Sequence, residues 1–241
     1  MNNQARHEIE HGRYLATVDT DMIWGWGSTA GRTRARRRAM LISEYAHLHS
    51  NLRVLEIGCG TGIFTEMFAQ TGAQITAVDI SAELIEHAKQ RCANYKNVTF
   101  IQKQFEECLV DGPFDAVIGS SILHHLAIDE SLGKIFNLLK PKGVMSFAEP
   151  NMLNPQVFME RKFRRFFSYV SQDETAFIKW RLKKILKEKG YQDIQIKSLD
   201  WLHPLTPEKM INSFMKIETI FEKTPIIREF SGSLYITALR P

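Results

Sequence analysis

The sequence predicts an α/β fold, a mostly parallel sheet covered by helices. Three observations predict it. Short apolar runs alternate with helix-spaced segments from about residue 52 to residue 150. The first of these runs leads directly into three alternate glycines, Gly58, Gly60 and Gly62. The next run ends on an acid, Asp79, which a parallel sheet would set beside that glycine loop.

The elements follow in order. Residues 53–57 read as a strand, 64–70 as a helix and 74–78 as a second strand. Ser81 caps a segment with Leu84, Ile85 and Ala88 at helical spacing. Strands at 98–101 and 114–118 precede a helix at 130–139, closed by Lys140-Pro141-Lys142-Gly143 before a strand at 144–148. Pro150-Asn151 and Asn154-Pro155 then break the pattern, and Phe alternates with Arg and Lys from residue 158 to Tyr169, which predicts an insertion or lid. Gln172 or Asp173 opens a long amphipathic helix carrying Phe177, Trp180, Leu182, Ile185 and Leu186 and ending at Lys189-Gly190. A strand at 194–199, a second irregular and helical region from His203 to about Ser231, and a last strand at 233–239 complete the chain.

At 241 residues, with 44% hydrophobic and 24% charged residues, the chain has ordinary globular composition and material for one sizeable core. No apolar run at the start or later suits a signal peptide or a membrane span, which predicts a soluble, cytoplasmic protein. Cys59, Cys92 and Cys108 are scattered without metal-ligand or disulfide spacing, so free thiols and metal independence are expected. A net charge of +4 is too small to imply a nucleic-acid partner.

The glycine loop carries the strongest chemical signal. Glycines allow positive φ and close approach of a ligand, and the helix that follows offers free N–H groups. A tight strand-to-helix turn would use the same glycines. The companion Asp79 favours a nucleotide-like ligand, because an acid there can accept both ribose hydroxyls. A dinucleotide fingerprint needs a small residue at position 63, which is Ile63, and Glu56 would stand poorly beside a pyrophosphate. A ligand with an amino group and no phosphate is the better guest.

The stretch Val54-Leu55-Glu56-Ile57-Gly58-Cys59-Gly60-Thr61-Gly62, with Asp79, resembles the first two motifs of the class I S-adenosylmethionine-dependent methyltransferases. The resemblance continues through Phe114-Asp115-Ala116-Val117-Ile118 and Leu138-Leu139-Lys140-Pro141-Lys142-Gly143. Ala148-Glu149-Pro150-Asn151 and Trp201-Leu202-His203-Pro204 are similar to the bacterial small-molecule enzymes of the type 11 and 12 groups. The resemblance implies a Rossmann-like seven-stranded sheet with an antiparallel last strand, helices on both faces and helical lid insertions. It implies S-adenosyl-L-methionine as cofactor, with Glu56, Gly58, Cys59 and Gly60 around its methionine part and Asp79 on the ribose. Ile80 would pack on the adenine, Gln104 and Phe105 would flank it, and Ser120 would contact the amino-acid end. Many relatives carry Asp where Gln104 stands. Residues 1–241 would form one domain: a helical cap at 1–50, a cofactor-binding core at 51–150 and acceptor-side insertions at 151–172 and 201–232.

Methyl transfer from a sulfonium is a displacement, so positioning supplies much of the acceleration, and a hydroxyl acceptor also needs a base. His124, His125 and Glu149 are the catalytic candidates, since all three lie at the carboxyl edge of the sheet; the histidines could equally start the next helix and pack there. Trp26, Arg32 and His203 are candidates for the acceptor pocket. Most of Arg32, Arg34, Arg36, Arg37 and Arg38 should be solvated, because these positions cannot all face one way on a helix. The aromatic and basic cluster at 158–167 suits a lid helix, then peripheral membrane contact, then RNA. The expected reaction is methyl transfer to a small-molecule acceptor at O, N or C, a lipid or saccharide intermediate among the options. The alternatives are a non-catalytic, methyltransferase-like cofactor-binding subunit and a nicotinamide-dependent oxidoreductase.

Overall fold

The computed structural model describes residues 3–167 and 175–241. Three helices come first, α1 (Asn3–Ala16), α2 (Thr20–Ile23) and α3 (Thr29–Tyr45). They are followed by β1 (Arg53–Ile57), α4 (Ile63–Ala69), β2 (Gln74–Asp79), α5 (Ala82–Arg91), β3 (Val98–Gln102), β4 (Phe114–Ser120), α6 (Ile128–Leu138) and β5 (Leu139–Pro150). The remaining elements are α7 (Pro155–Lys162), α8 (Lys179–Glu188), β6 (Gln192–Leu199), α9 (Ile211–Lys223) and β7 (Ser233–Leu239).

The described strands form one seven-stranded sheet in the order β3-β2-β1-β4-β5-β7-β6, in which β7 runs antiparallel to both β5 and β6. The other ladders are parallel, so the Rossmann-like sheet expected from the resemblance is the one observed. Side chains alternate between faces with period two, and each face is covered. Leu55, Val117 and Phe147 pack under α6 and α8, whereas Val54, Ala116 and Ile118 pack with Ile42 of α3 and Phe68 of α4. β4 is therefore apolar without interruption over Ala116-Val117-Ile118, as a strand buried on both faces must be.

Local chemistry sets most of the boundaries. Ser81 caps α5 as expected, its Oγ accepting the N–H of Leu84 at 3.2 Å. Asn154 caps α7 with Pro155 in its first turn, its Oδ1 accepting from Gln156 and Val157. Gly62 takes φ 78° ahead of α4, and a side chain there would meet the α5 backbone at Ala88, 2.8 Å away.

Two boundaries differ from the sequence reading. Pairing of β5 begins at Leu139 opposite Phe114 and the register then shifts, so residues 140–143 are an irregularity inside the strand rather than a turn before it. The Lys140 ammonium holds that irregularity on the Asp115 carboxylate at 2.7 Å. Helix α8 starts at Lys179, not at Gln172 or Asp173, which lie outside the described residues, as do Tyr169 and the end of the expected insertion at 151–172. Phe177 precedes α8 because its backbone is extended, exchanging hydrogen bonds with Pro150 and Met152. Among the described residues no helix is long and apolar enough to cross a membrane.

Glu56 is the exception inside the sheet. Alternation along β1 turns it to the same side as Val54, into the layer of Phe64 and Phe68, where it is buried and its Oε2 has no hydrogen-bond partner. Burial pushes its carboxyl up to about 8, with the neighbouring charge of Asp79 acting in the same direction. The folded state therefore holds a proton that the unfolded chain has already released near pH 4.5, and stability falls as pH rises from there to about 8. Each tenfold in proton affinity corresponds to about 1.4 kcal/mol, so the effect reaches a few kcal/mol. Glu56→Gln removes this pH dependence. Thermal denaturation should show the variant gaining several degrees over the parent protein at pH 9 and little at pH 5; an equal difference at both values would mean that Glu56 is ionised in the folded protein.

Candidate functional site

At the carboxyl edge of the parallel strands lies a cavity of about 750 Å³, within the range of roughly 300–1,000 Å³ that small-molecule sites occupy. Its floor is the glycine loop and the ends of β2 and β4. Its roof comes from residues 8–28 and from the segment 200–205, and α7 closes one side.

One half is built around Asp79. The carboxylate accepts the N–H of Gly60 at 2.8 Å on Oδ2 and that of Ser81 at 2.9 Å on Oδ1, so the acid fixes both the glycine loop and the start of α5. Burial raises its pKa in spite of those bonds. Gly58, Cys59, Gly60, Ile80, Gln104 and Phe105 line the same half. Gly60 takes φ 50°, and a side chain on it would come within 3.1 Å of the Trp24 ring, so the space over the loop is a narrow slot. Gln104 Oε1 is buried with no partner, an acceptor left open where the third strand ends. Glu56 does not line the cavity. It stands behind the loop for the reason given above, which removes it from direct contact with a ligand.

Asp21 ties the N-terminal part of the roof to the glycine loop. Asp21 in α2 accepts from Thr61 Oγ1 at 2.8 Å and from Arg91 Nη2, while its carbonyl takes the N–H groups of Trp26 and Gly27. This lays Trp24 and Trp26 against the glycine loop. Trp26 lines the cavity as expected, its ring edge-on to Phe64 and flanked at 5.0 Å by the guanidinium groups of Arg34 and Arg38.

Of the five arginines in α3, Arg34 and Arg38 face the cavity, one turn apart on the buried side. Arg32 does not: its guanidinium turns back to the carbonyl of Gly27, because position 32 falls on another side of the helix. Arg34 makes a two-pronged pair with Asp200 at 2.9 and 3.0 Å. Arg38 reaches Asp200, Ser120, Ser121 and Ser233, leaving its buried Nε without a partner. Although burial acts against it, the two guanidinium groups hold the Asp200 carboxyl at about 2. Nothing in the sequence pattern marked Asp200 or Trp24. The spacing of Arg34 and Arg38 was the available signal, read without the helix phase.

The opposite wall carries the histidines. Glu149 is fully buried and does not line the cavity; its Oε1 accepts the N–H groups of Ile122 and Leu123, both at 2.9 Å, and its Oε2 lies 2.6 Å from His124 Nδ1. Both oxygens of Glu149 are thus taken by backbone and by His124, and its carboxylate does not reach the cavity, unlike the base expected at this position. A carboxylate on Nδ1 favours a proton on that nitrogen and fixes the ring. His125 lines the cavity too, with Nδ1 3.1 Å from Glu8 of α1. His203 lies on the far rim, its Nδ1 accepting the N–H of Leu205 at 3.1 Å; burial and then the charge of Arg34 lower its pKa, so the ring is neutral at pH 7.

Comparison with known proteins agrees with this geometry. Residues 48–190, more than half of the chain, match the family model described as a methyltransferase domain. The demethylmenaquinone methyltransferase of Tropheryma whipplei is 31% identical over 118 residues, 48% of each chain. The malonyl-[acyl-carrier protein] O-methyltransferase of Bacillus cytotoxicus is 32% identical over 145 residues, 56% of this chain and 50% of that one. The chain spans about half the length of the curated relatives it matches. Among solved structures, the N-methyltransferase NodS of Bradyrhizobium japonicum in complex with S-adenosyl-L-homocysteine has a TM-score of 0.60 at 16% identity and covers 89% of each chain. The chain belongs to the family of methyltransferase domains, the one that its glycine loop and Asp79 resemble.

Proposed function

We propose that this chain binds S-adenosyl-L-methionine and transfers its methyl group to a small-molecule acceptor. The observation that carries the proposal is that one cavity joins the glycine loop, Asp79 and the open Gln104 acceptor to a histidine backed by a buried carboxylate. The residues fit the cofactor. Gly58, Cys59 and Gly60 leave a slot for its methionine part, and the second lone pairs of Asp79 suit ribose hydroxyls. Ile80 and Phe105 offer apolar surface to an adenine, and Gln104 Oε1 can accept its amino hydrogens. Arg38, with Ser120 and Ser121, supplies cationic and hydroxyl groups for a carboxylate at the opposite end.

Bound there, S-adenosyl-L-methionine supplies an electrophilic methyl carbon. The chain's own part is to orient the acceptor, exclude water and receive a proton. His124 is the group built to receive it, since Glu149 holds the ring and stabilises the imidazolium that forms. His203, on the far rim from the glycine loop, serves the acceptor side, and Trp26, laid against the loop, faces the cofactor half. The named relatives are a demethylmenaquinone methyltransferase and a malonyl-[acyl-carrier protein] O-methyltransferase, which supports an acceptor with a lipophilic or acyl part.

Two variants test the assignment. Asp79→Ala loses the charge-assisted bonds to ribose and the anchor of Gly60; calorimetry with S-adenosyl-L-homocysteine should show binding weaker by about 2 kcal/mol or more, and unchanged affinity would remove Asp79 from the ribose. His124→Ala should lower the rate of transfer from labelled cofactor into acceptors of a cell extract by roughly 10²- to 10⁴-fold with cofactor affinity unchanged. A normal rate in the variant would leave positioning alone as the catalytic device.

A further inference from the structure

Large apolar side chains stand exposed at the mouth of the cavity, beside the polar Lys103 and Gln156. Met159 of α7 and Leu205 both line the cavity and stand in solvent, Leu205 with 82% of its surface exposed. From Met159 the apolar surface continues outward over Phe158, Phe163 and Phe166, the last 69% exposed. Soluble monomers seldom leave so many large apolar side chains together without a partner.

The charges on this surface are distributed in a particular way. The Lys162 ammonium lies 5.7 Å from the ring centres of both Phe158 and Phe163, and the Arg165 guanidinium 4.9 Å from that of Phe166. Cations are thus set among the rings, not around them. The one acid of the segment, Glu160, is turned inward, buried, and bonded to Arg161 at 3.0 Å and Gln156 at 2.8 Å. The outer face of residues 158–166 therefore presents aromatic rings and positive charge, with no carboxylate among them.

We propose that this face is a docking surface for an anionic phospholipid bilayer, and that the cavity opens onto the bilayer to take a lipophilic acceptor from it. Phe rings enter the boundary between headgroups and acyl chains, and Lys and Arg stems lie along them with the charges at the phosphates. A second copy of the chain is a poorer occupant. In a two-fold dimer the same patch meets itself, which would set Lys162 and Arg165 of one copy against those of the other with no outward acid among residues 158–166 to separate them. The docking surface depends only on exposed residues of α7 and the turn after it; the delivery of an acceptor rests on the reading given under Proposed function.

Co-sedimentation of the full chain with vesicles tests it. Vesicles of phosphatidylcholine with 30% phosphatidylglycerol, a composition of about that anionic share, should bind the protein at least tenfold more tightly than vesicles of phosphatidylcholine alone. Lys162→Gln with Arg165→Gln should weaken this binding by about thirtyfold, near the value of two cations at an anionic surface. Phe163→Ser with Phe166→Ser should weaken it tenfold or more, on the order of two exposed rings leaving the interface. None of these four residues lines the cavity, so S-adenosyl-L-homocysteine affinity should be unchanged in both variants. Equal binding to both vesicle types, or no binding, overturns the docking surface while leaving the cofactor site intact. So does a dimer in sedimentation velocity that Phe163→Ser with Phe166→Ser splits, or a preference for a single-stranded RNA oligomer over the anionic vesicles. Failure of the parent protein to bind S-adenosyl-L-homocysteine, with vesicle binding retained, would overturn the delivery of an acceptor and keep the surface.

Discussion

The buried carboxylate of Asp200 holds the cavity together. It sits just after β6 and accepts from Arg34 and Arg38 of α3 and from Ser233 at the start of β7. Its carbonyl takes the N–H of Gly232, and its own N–H reaches Glu222 of α9. One residue thus joins the N-terminal helix, the antiparallel edge of the sheet and the last helical segment. Burying such charges is costly, and the cost is offset only because the carboxylate is fully bonded and remains ionised far below neutral pH. Beside it Arg37 pairs with Glu218 and Glu222, so the three inward cations of α3 meet three acids. Breaking one member would strand the others, which makes the roof of the cavity a unit.

The parallel half of the sheet solves a different problem. There the backbone, not a salt bridge, places the chemistry: the ends of β1, β2 and β4 bring Gly58, Asp79 and Ser120 to one edge through fixed parallel register. Asp79 and Glu149 play matching parts at two of these ends. Each carboxylate accepts two backbone N–H groups of the loop beyond a strand, Gly60 and Ser81 in one case, Ile122 and Leu123 in the other. Each therefore locks a loop and still has capacity for one more partner. For Asp79 that capacity points to a ligand; for Glu149 it is taken by His124.

Local signals in the sequence were the legible ones. The glycine loop, Asp79 and the Ser81 cap each follow from spacing or from a pattern within a few residues, and each stands where that pattern puts it, whereas the antiparallel last strand came only with the family resemblance. Glu56 was legible in part. Strict alternation along β1 already turned it away from the edge, but the motif's usual association with the methionine part drew it toward the ligand. Arg32 was chosen over Arg34 and Arg38 because a run of five arginines carries no phase until the apolar side of α3 is known. Asp200 could not be found, since its two cationic partners lie more than 160 residues away and an isolated acid after a strand has no pattern.

The walls suit a reaction whose charge disappears. Transfer from a sulfonium to a neutral or anionic acceptor disperses positive charge, so surroundings that solvate charge poorly favour the transition state over the reactants. The wall near the glycine loop agrees: Trp24, Trp26, Ile57, Phe64 and Leu84 face the cavity there, and the fixed charges are spent on each other or on backbone. On the proposed function, the charge that grows during transfer to a hydroxyl is the imidazolium of His124, and it grows against Glu149 at 2.6 Å. Apolar enclosure and a single compensated proton site are consistent requirements, because the same dry environment that favours methyl transfer also strengthens the Glu149–His124 pair. Apolar side chains at the mouth extend that logic outward. A lipophilic acceptor would arrive already stripped of water, and the cavity would not have to remove it.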